Sequence, residues 1–338
     1  MKTSSQNKPS GLTSTKGQNK VPRRIHELQD FQTKDEDLFV LDHFGQPIKS
    51  VDTWQIEVSG HVQQSLVITS QNLSDFPETS ISAFHKCAGS PFAPIEPTPD
   101  RVGNVLWSGI KLADVLKKVS VNNSAEFIWA SGKDYGSYHG AEPQHYCKDL
   151  RLDRALREEV LIATHLNGEP LSPERGGPYR LVIPGYYGTN SVKWLTSIKV
   201  EEKRCGSIFT TKYYVDKNEN LDGTINHTPV WSVEPDSVIS SHINNSTIEN
   251  REQWNISGWA WGDNEIAKVE VSLDNGETWC LANLESRIDY SWQKFSLLID
   301  FACSNHCLLL SRATDKTGRI QPLSGARNAS VPITVHVI

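Results

Sequence analysis

The chain is poor in the features that announce many common chemistries. It carries six cysteines in 338 residues, and no two of them form a Cys-x-x-Cys pair. That leaves out a c-type haem signature and a ferredoxin-type cysteine run, and no flavin motif is found either. Without regular spacing or a signal peptide, the six read as reduced intracellular thiols. No run approaches the roughly 18 apolar residues of a membrane-spanning helix. Positive charge is in deficit too, with 34 Lys and Arg against 40 Asp and Glu and a net charge of −6. Neither nucleic acid nor an anionic membrane surface is therefore expected as the main partner. A hydrophobic content of 37% and a charged content of 22% place the chain among soluble globular proteins. Its length is too great for one ordinary core and predicts two domains plus a tail.

Residues 1–25 lack aromatics and are rich in Ser, Thr, Lys, Gln and Asn, so they read as a disordered tail. Arg23-Arg24 suggests twin-arginine export, but the following Ile-His-Glu-Leu-Gln-Asp offers no apolar segment for it. The chain ends His-Val-Ile and not Ser-Lys-Leu, which leaves the cytoplasm as the expected location. The sequons at Asn72, Asn122 and Asn255 are then chance matches.

Residues 26–228 mix helix-like and strand-like patterns. Leu38 to His43, Trp54 to Gly60, Phe127 to Ala130, Val160 to Thr164, Arg180 to Ile183 and Val192 to Val200 read as strands. Trp107 to Val119 reads as a helix with Leu112, Val115, Leu116 and Val119 on one face, and Leu152 to Leu156 as a brief one. Ser131 to Gly140 reads as a polar, glycine-rich loop. Pro91, Pro94, Pro97 and Pro99 forbid a helix after Cys87. This order predicts an α+β domain.

Over residues 229–338 the texture changes to short strands without a convincing helix. Asp274-Asn275-Gly276 between two strand-like runs is a hairpin signal, because Asn-Gly tolerates positive φ. An immunoglobulin-like β-sandwich is expected.

Cys87 leads a small-residue turn, Cys87-Ala88-Gly89-Ser90, ahead of the proline-rich loop. A lone cysteine is most often a small buried hydrophobe; as a thiolate it is also a soft ligand for a redox metal, and small neighbours leave room for a bulky group. Gly177 to Leu195 contains Pro178-Tyr179-Arg180, Pro184-Gly185-Tyr186-Tyr187-Gly188, Asn190, Ser191 and Val192-Lys193-Trp194-Leu195. Arg180 can grip phosphate bidentately, Lys193 supplies a point charge, and Gly185 and Gly188 permit close backbone approach to an anion. Each of these also has a plain reading, as a solvated surface charge or a turn glycine.

Taken in order, these runs resemble the molybdenum-cofactor domain of the sulfite oxidase family, and the resemblance spans roughly residues 36–338. The Cys-Ala-Gly turn, Trp107-Ser-Gly-Ile-Lys-Leu-Ala-Asp-Val-Leu116, Gly132-Lys-Asp134, Pro178-Tyr-Arg180 and Val192-Lys-Trp-Leu195 match its successive elements. The resemblance implies that Cys87 ligates molybdenum. It implies that His43, Asp134, Arg175, Arg180, Gly188, Asn190, Ser191 and Lys193 hold molybdopterin, and that Tyr214 is the active-site tyrosine, with Tyr213 competing for that place. Gly258 to Gly262, Val269 to Trp279 and Arg312 to Lys316 resemble the family's dimerisation domain, which implies a homodimer. Trp259, Trp261, Trp279 and Trp292 are expected in the sandwich core and interface.

The implied reaction is a two-electron oxygen-atom transfer with a small-molecule substrate, exchanging electrons with an external acceptor or donor. The pattern breaks where sulfite- and nitrate-handling members carry cations: Leu41 replaces an arginine, and Ser90-Pro91-Phe92 replaces Asn-Arg-Arg. Asn190 stands where an arginine follows the phosphate loop, and Arg175 where a histidine is usual. A neutral or less charged, partly apolar substrate is expected in place of sulfite. Two rivals are a member that binds molybdopterin without turnover and a zinc protein using Cys280, Cys303, His306 and Cys307.

Overall fold

The computed structural model describes residues 17–47, 54–89, 99–220, 222–249, 253–300 and 306–338. Ser90, Pro91, Phe92 and Cys303 lie outside the described residues. Of the tail expected over 1–25, residues 1–16 lie outside the described residues, and the part that is described is held in place. Strand β1 (Asn19–Lys20) pairs with β2 (Val40–Leu41), and Ile25 is buried, with its N–H bound to Asp100 at 2.9 Å.

The first domain is built on two five-stranded sheets among the described residues. One follows the order β10-β9-β6-β5, from Glu169–Pro170, Leu161–Leu166, Val102–Lys111 and Glu78–Lys86, and β11 (Arg180–Val182) also pairs with β9. The other runs β4-β3-β12-β7-β8, from Leu66–Thr69, Gln55–Gly60, Leu195–Glu201, Phe127–Gly136 and Gln144–Arg151. Its β3–β12 pairing is parallel. Ile56, Val58, Ile110, Ile162, Ile198 and Val200 join helix α1 (Leu112–Val119) in one core.

That helix buries the expected stripe of Leu112, Val115, Leu116 and Val119. It starts later than expected, because Trp107 to Lys111 continue β6 and pair with both β5 and β9. Cross-strand pairing there outweighs helical propensity. Strand β7 likewise runs on to Gly136 where a loop was expected, but its register with β8 shifts between Ser131 and Tyr135. This irregularity carries Asp134, as bulges do when a strand must re-aim a side chain. The helices α2 (Leu152–Ala155) and α3 (Ile208–Thr211) are single turns, and the β-ribbon β13–β14 (Val215–Glu219, Ile225–Pro229) leads onward.

Among the described residues, the second domain is a sandwich of a four-stranded and a five-stranded sheet. The first has the order β15-β17-β21-β20 (Asp236–Ile239, Gln253–Trp261, Gln293–Asp300, Asn283–Leu284). The second has the order β16-β23-β22-β18-β19 (Ser246–Ile248, Ile333–Val337, His306–Asp315, Ile266–Ser272, Cys280–Leu281). The chain reverses between β18 and β19 as the Asn-Gly signal requires, with φ of 59° at Asn275 and 93° at Gly276.

Trp259, Trp261 and Trp292 pack with Phe84, Ala88 and Tyr187 of the first domain, and the Trp259 and Trp292 rings stack at 4.3 Å. They are therefore the apolar joint between the domains. Trp279 instead sits half-buried beneath Arg312, 4.1 Å away.

Candidate functional site

One cavity gathers most of the anticipated residues. Its lining includes Leu41, Asp42, His43, His85, Cys87, Asp134, Tyr146, Arg175, Arg180, Gly188, Thr189, Ser191, Lys193 and Tyr214. Strand β5 delivers the thiol: its alternation places Ala83 and His85 on the face that Cys87 continues. The Cys87 N–H is bound to the Arg101 carbonyl at 2.9 Å. Its Sγ accepts from the Gly89 N–H at 3.4 Å. Burial pushes the thiol's pKa up, against the pull of Arg101, Lys86 and Arg327. The turn is clamped by two guanidinium groups, Arg101 on the Gly89 carbonyl at 2.8 Å and Arg327 on the Ala88 carbonyl at 2.7 Å. Arg327 comes from the second domain, so a cation stands beside Cys87 although the residues after it supply none.

Opposite lie the buried charges. Arg180 donates to the carbonyls of Arg175 and Ser191 at 3.0 and 3.1 Å and lies over the Trp107 ring. Its Nε is buried without a partner. Burial, with Arg175 nearby, holds its pKa down at about 9. Lys193 bonds the Glu174 carbonyl at 3.2 Å and lies 3.6 Å from Asp42, and burial lowers it to about 8. Asp134 is 5% exposed, its Oδ1 has no partner, and burial raises it to about 7. Gly132 makes room for it, since a Cβ there would meet the Asp134 carboxylate and the Lys193 carbonyl.

Buried polar atoms almost always find partners. A guanidinium nitrogen and a carboxylate oxygen left bare on one cavity fit an anionic heterocycle, the cation facing its phosphate and the carboxylate its ring N–H groups. The donor set therefore suits molybdopterin, with Cys87 as the soft ligand to its metal.

The aromatic wall was largely invisible in the sequence. The Tyr214 hydroxyl and His43 Nε2 are 2.8 Å apart, and burial lowers His43 to about 4, so the imidazole is neutral near pH 7. With Tyr214 donating, Nε2 is the unprotonated nitrogen. Tyr214 holds a φ of 56°, a costly conformation for a bulky residue and one that gathers at functional sites. Tyr213 is not among the lining residues and packs against Tyr138 at 5.0 Å. Tyr146, bonded to Thr189 at 2.7 Å, and His85, stacked on Phe39 at 5.4 Å, complete the wall.

Three anticipated residues act differently. Arg175 lines the cavity but spends its donors on the backbone of Asp35, Leu38 and Phe39 and on the Asp35 carboxylate. It braces the β2 approach, and little of it is left for phosphate. Asn190 is 1% exposed and is not in the lining; its amide donates to the carbonyls of Tyr187 and Val230 at 3.0 Å. Gly185 faces Asp263 and Tyr290 of the second domain and is absent from the lining. Gly188 lines the cavity, and a Cβ there would press on the His85 ring at 2.9 Å. Among the described residues, no group of three or more His, Cys, Asp and Glu is placed to hold a metal ion, and Cys307 is buried in the sandwich core while Cys280 is exposed.

The class that fold and site define is a two-domain protein with a buried cavity suited to one anionic cofactor. The chain belongs to the molybdopterin oxidoreductases of the sulfite oxidase type: the oxidoreductase molybdopterin binding domain matches residues 43–209, and the Mo-co oxidoreductase dimerisation domain matches residues 227–333. It is 28% identical over 303 residues to inducible NADH nitrate reductase 1 of Glycine max, covering 80% of this chain and 33% of that one. Mitochondrial sulfite oxidase of Rattus norvegicus is 26% identical over 323 residues, covering 87% of this chain and 58% of its own. The chain thus spans a third to somewhat over half of these relatives' length. The crystal structure of the sulfane dehydrogenase SoxCD from Paracoccus pantotrophus superposes with a TM-score of 0.76 at 27% identity, covering 95% of this chain and 86% of that one. No helix among the described residues is long and apolar enough to cross a membrane.

Proposed function

We propose that this protein is a molybdopterin-dependent oxidoreductase whose substrate is not sulfite but a neutral or less charged, partly apolar small molecule. The observation that carries the reading is the shared cavity of Cys87, the bare Arg180 nitrogen and the bare Asp134 oxygen. When bound, the cofactor supplies two-electron oxygen-atom transfer. Cys87 would hold the metal, Arg180 and Lys193 the phosphate, and Asp134 the ring donors. Gly188 and Ser191 line the same cavity and would adjoin the cofactor. Tyr214, with the neutral His43 behind it, would hold or pass a proton at its hydroxyl oxygen.

The substrate reading rests on how the nearby charges are spent. Leu41 lines the cavity at the position where the family resemblance implies an arginine. Arg327 is ion-paired with Asp216 and bound to the Ala88 carbonyl, and Arg101 is bound to Asn19 and Gly89. A doubly charged oxyanion entering here would lose its hydration without gaining a free cation. A homodimer through the second domain, an external electron partner and a cytoplasmic location complete the proposal.

The test is metal and pterin analysis of purified protein beside its Cys87→Ser variant. Sulfite oxidation and sulfoxide or N-oxide reduction are then assayed with artificial electron carriers. Stoichiometric molybdenum that is lost in the variant, with turnover of the uncharged substrates, is expected. Sulfite turnover matching the best of them overturns the substrate reading, and bound pterin without any turnover overturns the enzyme reading.

A further inference from the structure

Two thiols outside the cavity meet in a way the function above does not use. Cys147 lies on β8 between two buried residues, Tyr146 and Lys148, and its Sγ is 3.3 Å from that of Cys205. Cys205 sits in the segment between β12 and α3 and is held from several sides. Its N–H donates to Asp149 at 3.2 Å, and its carbonyl accepts from the Thr210 hydroxyl at 2.6 Å. The adjacent Arg204 grips Asp149 with both Nε and a terminal nitrogen, at 2.8 and 3.1 Å. The pair is thus built into place on both sides. We propose that Cys147 and Cys205 form a reversible oxidation site, a dithiol that a hydroperoxide converts to an intrachain disulfide and a small dithiol restores.

The two sulfur atoms differ in character. Cys205 Sγ accepts from the Ser207 N–H at 3.4 Å, which favours its thiolate, and contact with the Cys147 thiol, in which either sulfur can donate, lowers its pKa further. Among the described residues, Cys147 gains no such backbone donor, and the Cys205 contact and burial push its pKa up. Cys205 is accordingly the attacking sulfur. It displaces an alcohol, or water from hydrogen peroxide, as the O–O bond breaks, and it becomes a sulfenic acid. Cys147 then attacks that sulfur, and the leaving hydroxide departs as water with the thiol proton. The balance is two thiols and one hydroperoxide giving one disulfide, one alcohol and one water. A disulfide needs the sulfur atoms about 2 Å apart, so the closure is a swing of about 1 Å.

The bond would reach the site. The segment carrying Cys205 continues into α3, where Phe209 packs on Tyr146 at 4.6 Å and on His43 at 5.0 Å. The Phe209 carbonyl accepts from Lys148 of β8 at 2.8 Å. Oxidation therefore ties the two segments that form the aromatic wall.

The experiment uses the full chain, reduced with dithiothreitol, desalted under nitrogen and treated with hydrogen peroxide. Peptide mapping is expected to show Cys147 joined to Cys205, with two thiols lost per chain and recovered on adding dithiothreitol. In Cys147→Ser, dimedone is expected to label Cys205. In Cys205→Ser, Cys147 stays unlabelled. The wild-type mapping stands even if a variant folds poorly. Oxidation confined to the exposed Cys280, with no Cys147–Cys205 peptide, overturns the proposal, and dimedone on Cys147 in Cys205→Ser overturns the order of attack.

Discussion

Removing the charge of Asp134 should abolish a specific pH dependence of the cofactor-free protein. The carboxyl is buried with one oxygen unpartnered, and burial raises its pKa from 3.8 to about 7. Between those values the folded state holds a proton that the unfolded state has released. Stability from this group is therefore present in full below pH 3.8 and is lost as pH rises through about 7. At 1.36 kcal/mol per unit, and with the folded carboxyl half ionised at pH 7, the loss between pH 5 and pH 7 is about 2 kcal/mol. Lys193, held at about 8, remains mostly charged across that window and adds little to it. Urea denaturation of cofactor-free wild type and Asp134→Asn at pH 5, 6, 7 and 8 measures the difference directly. Between pH 5 and pH 7 the wild type should lose about 2 kcal/mol relative to the variant, and bound cofactor should remove that loss by giving Oδ1 donors. Parallel pH profiles for the two proteins would refute the reasoning.

Lys86 and Asp236 form an ion pair across the domain joint with side chains 0% and 3% exposed. Lys86→Ala should cost about 3–5 kcal/mol in urea denaturation by stranding the carboxylate, whereas Lys86→Met with Asp236→Leu should be nearly neutral. Gly188→Ala places a methyl against His85; it should cost about 1–3 kcal/mol and lower the pterin retained through gel filtration. Tyr214→Phe should leave the thermal midpoint nearly unchanged while kcat falls about 100-fold with the proton role lost, as steady-state assay of the loaded enzyme would reveal.

Much of the fold was legible because local periodicity marks which face is buried. The α1 stripe and the Asn275-Gly276 turn are of this kind, and each lies where expected. The two misread stretches fail for one reason. Trp107 to Lys111 and Ser131 to Gly136 became strand because neighbouring strands offered pairing, and that is a tertiary fact. The site divides similarly. Cys87, Asp134, Arg180, Gly188, Ser191, Lys193, His43 and Tyr214 do converge on one cavity. Arg175 and Asn190 carry the same polar chemistry, yet their hydrogen bonds go to carbonyls of the scaffold. No spacing rule separates a cation that is spent from one left bare. His85 had a signal, two residues before Cys87 on the same strand face; Tyr146 had little.

By itself the sequence determined a thiol in a small-residue turn and a glycine-rich cationic run, because each is written in contiguous residues, and the family resemblance implied that they would meet. It also determined that the cations usual after that turn are missing. Only the tertiary structure decided what stands in their place. Arg101 and Arg327 approach the Cys87 turn from 12 and 239 residues away to bind its carbonyls. Contacts of that range depend on how two domains pack, through Trp259, Trp261 and Trp292 and the Lys86–Asp236 pair. Packing is a property of surfaces brought together in space, and no short window of sequence contains it.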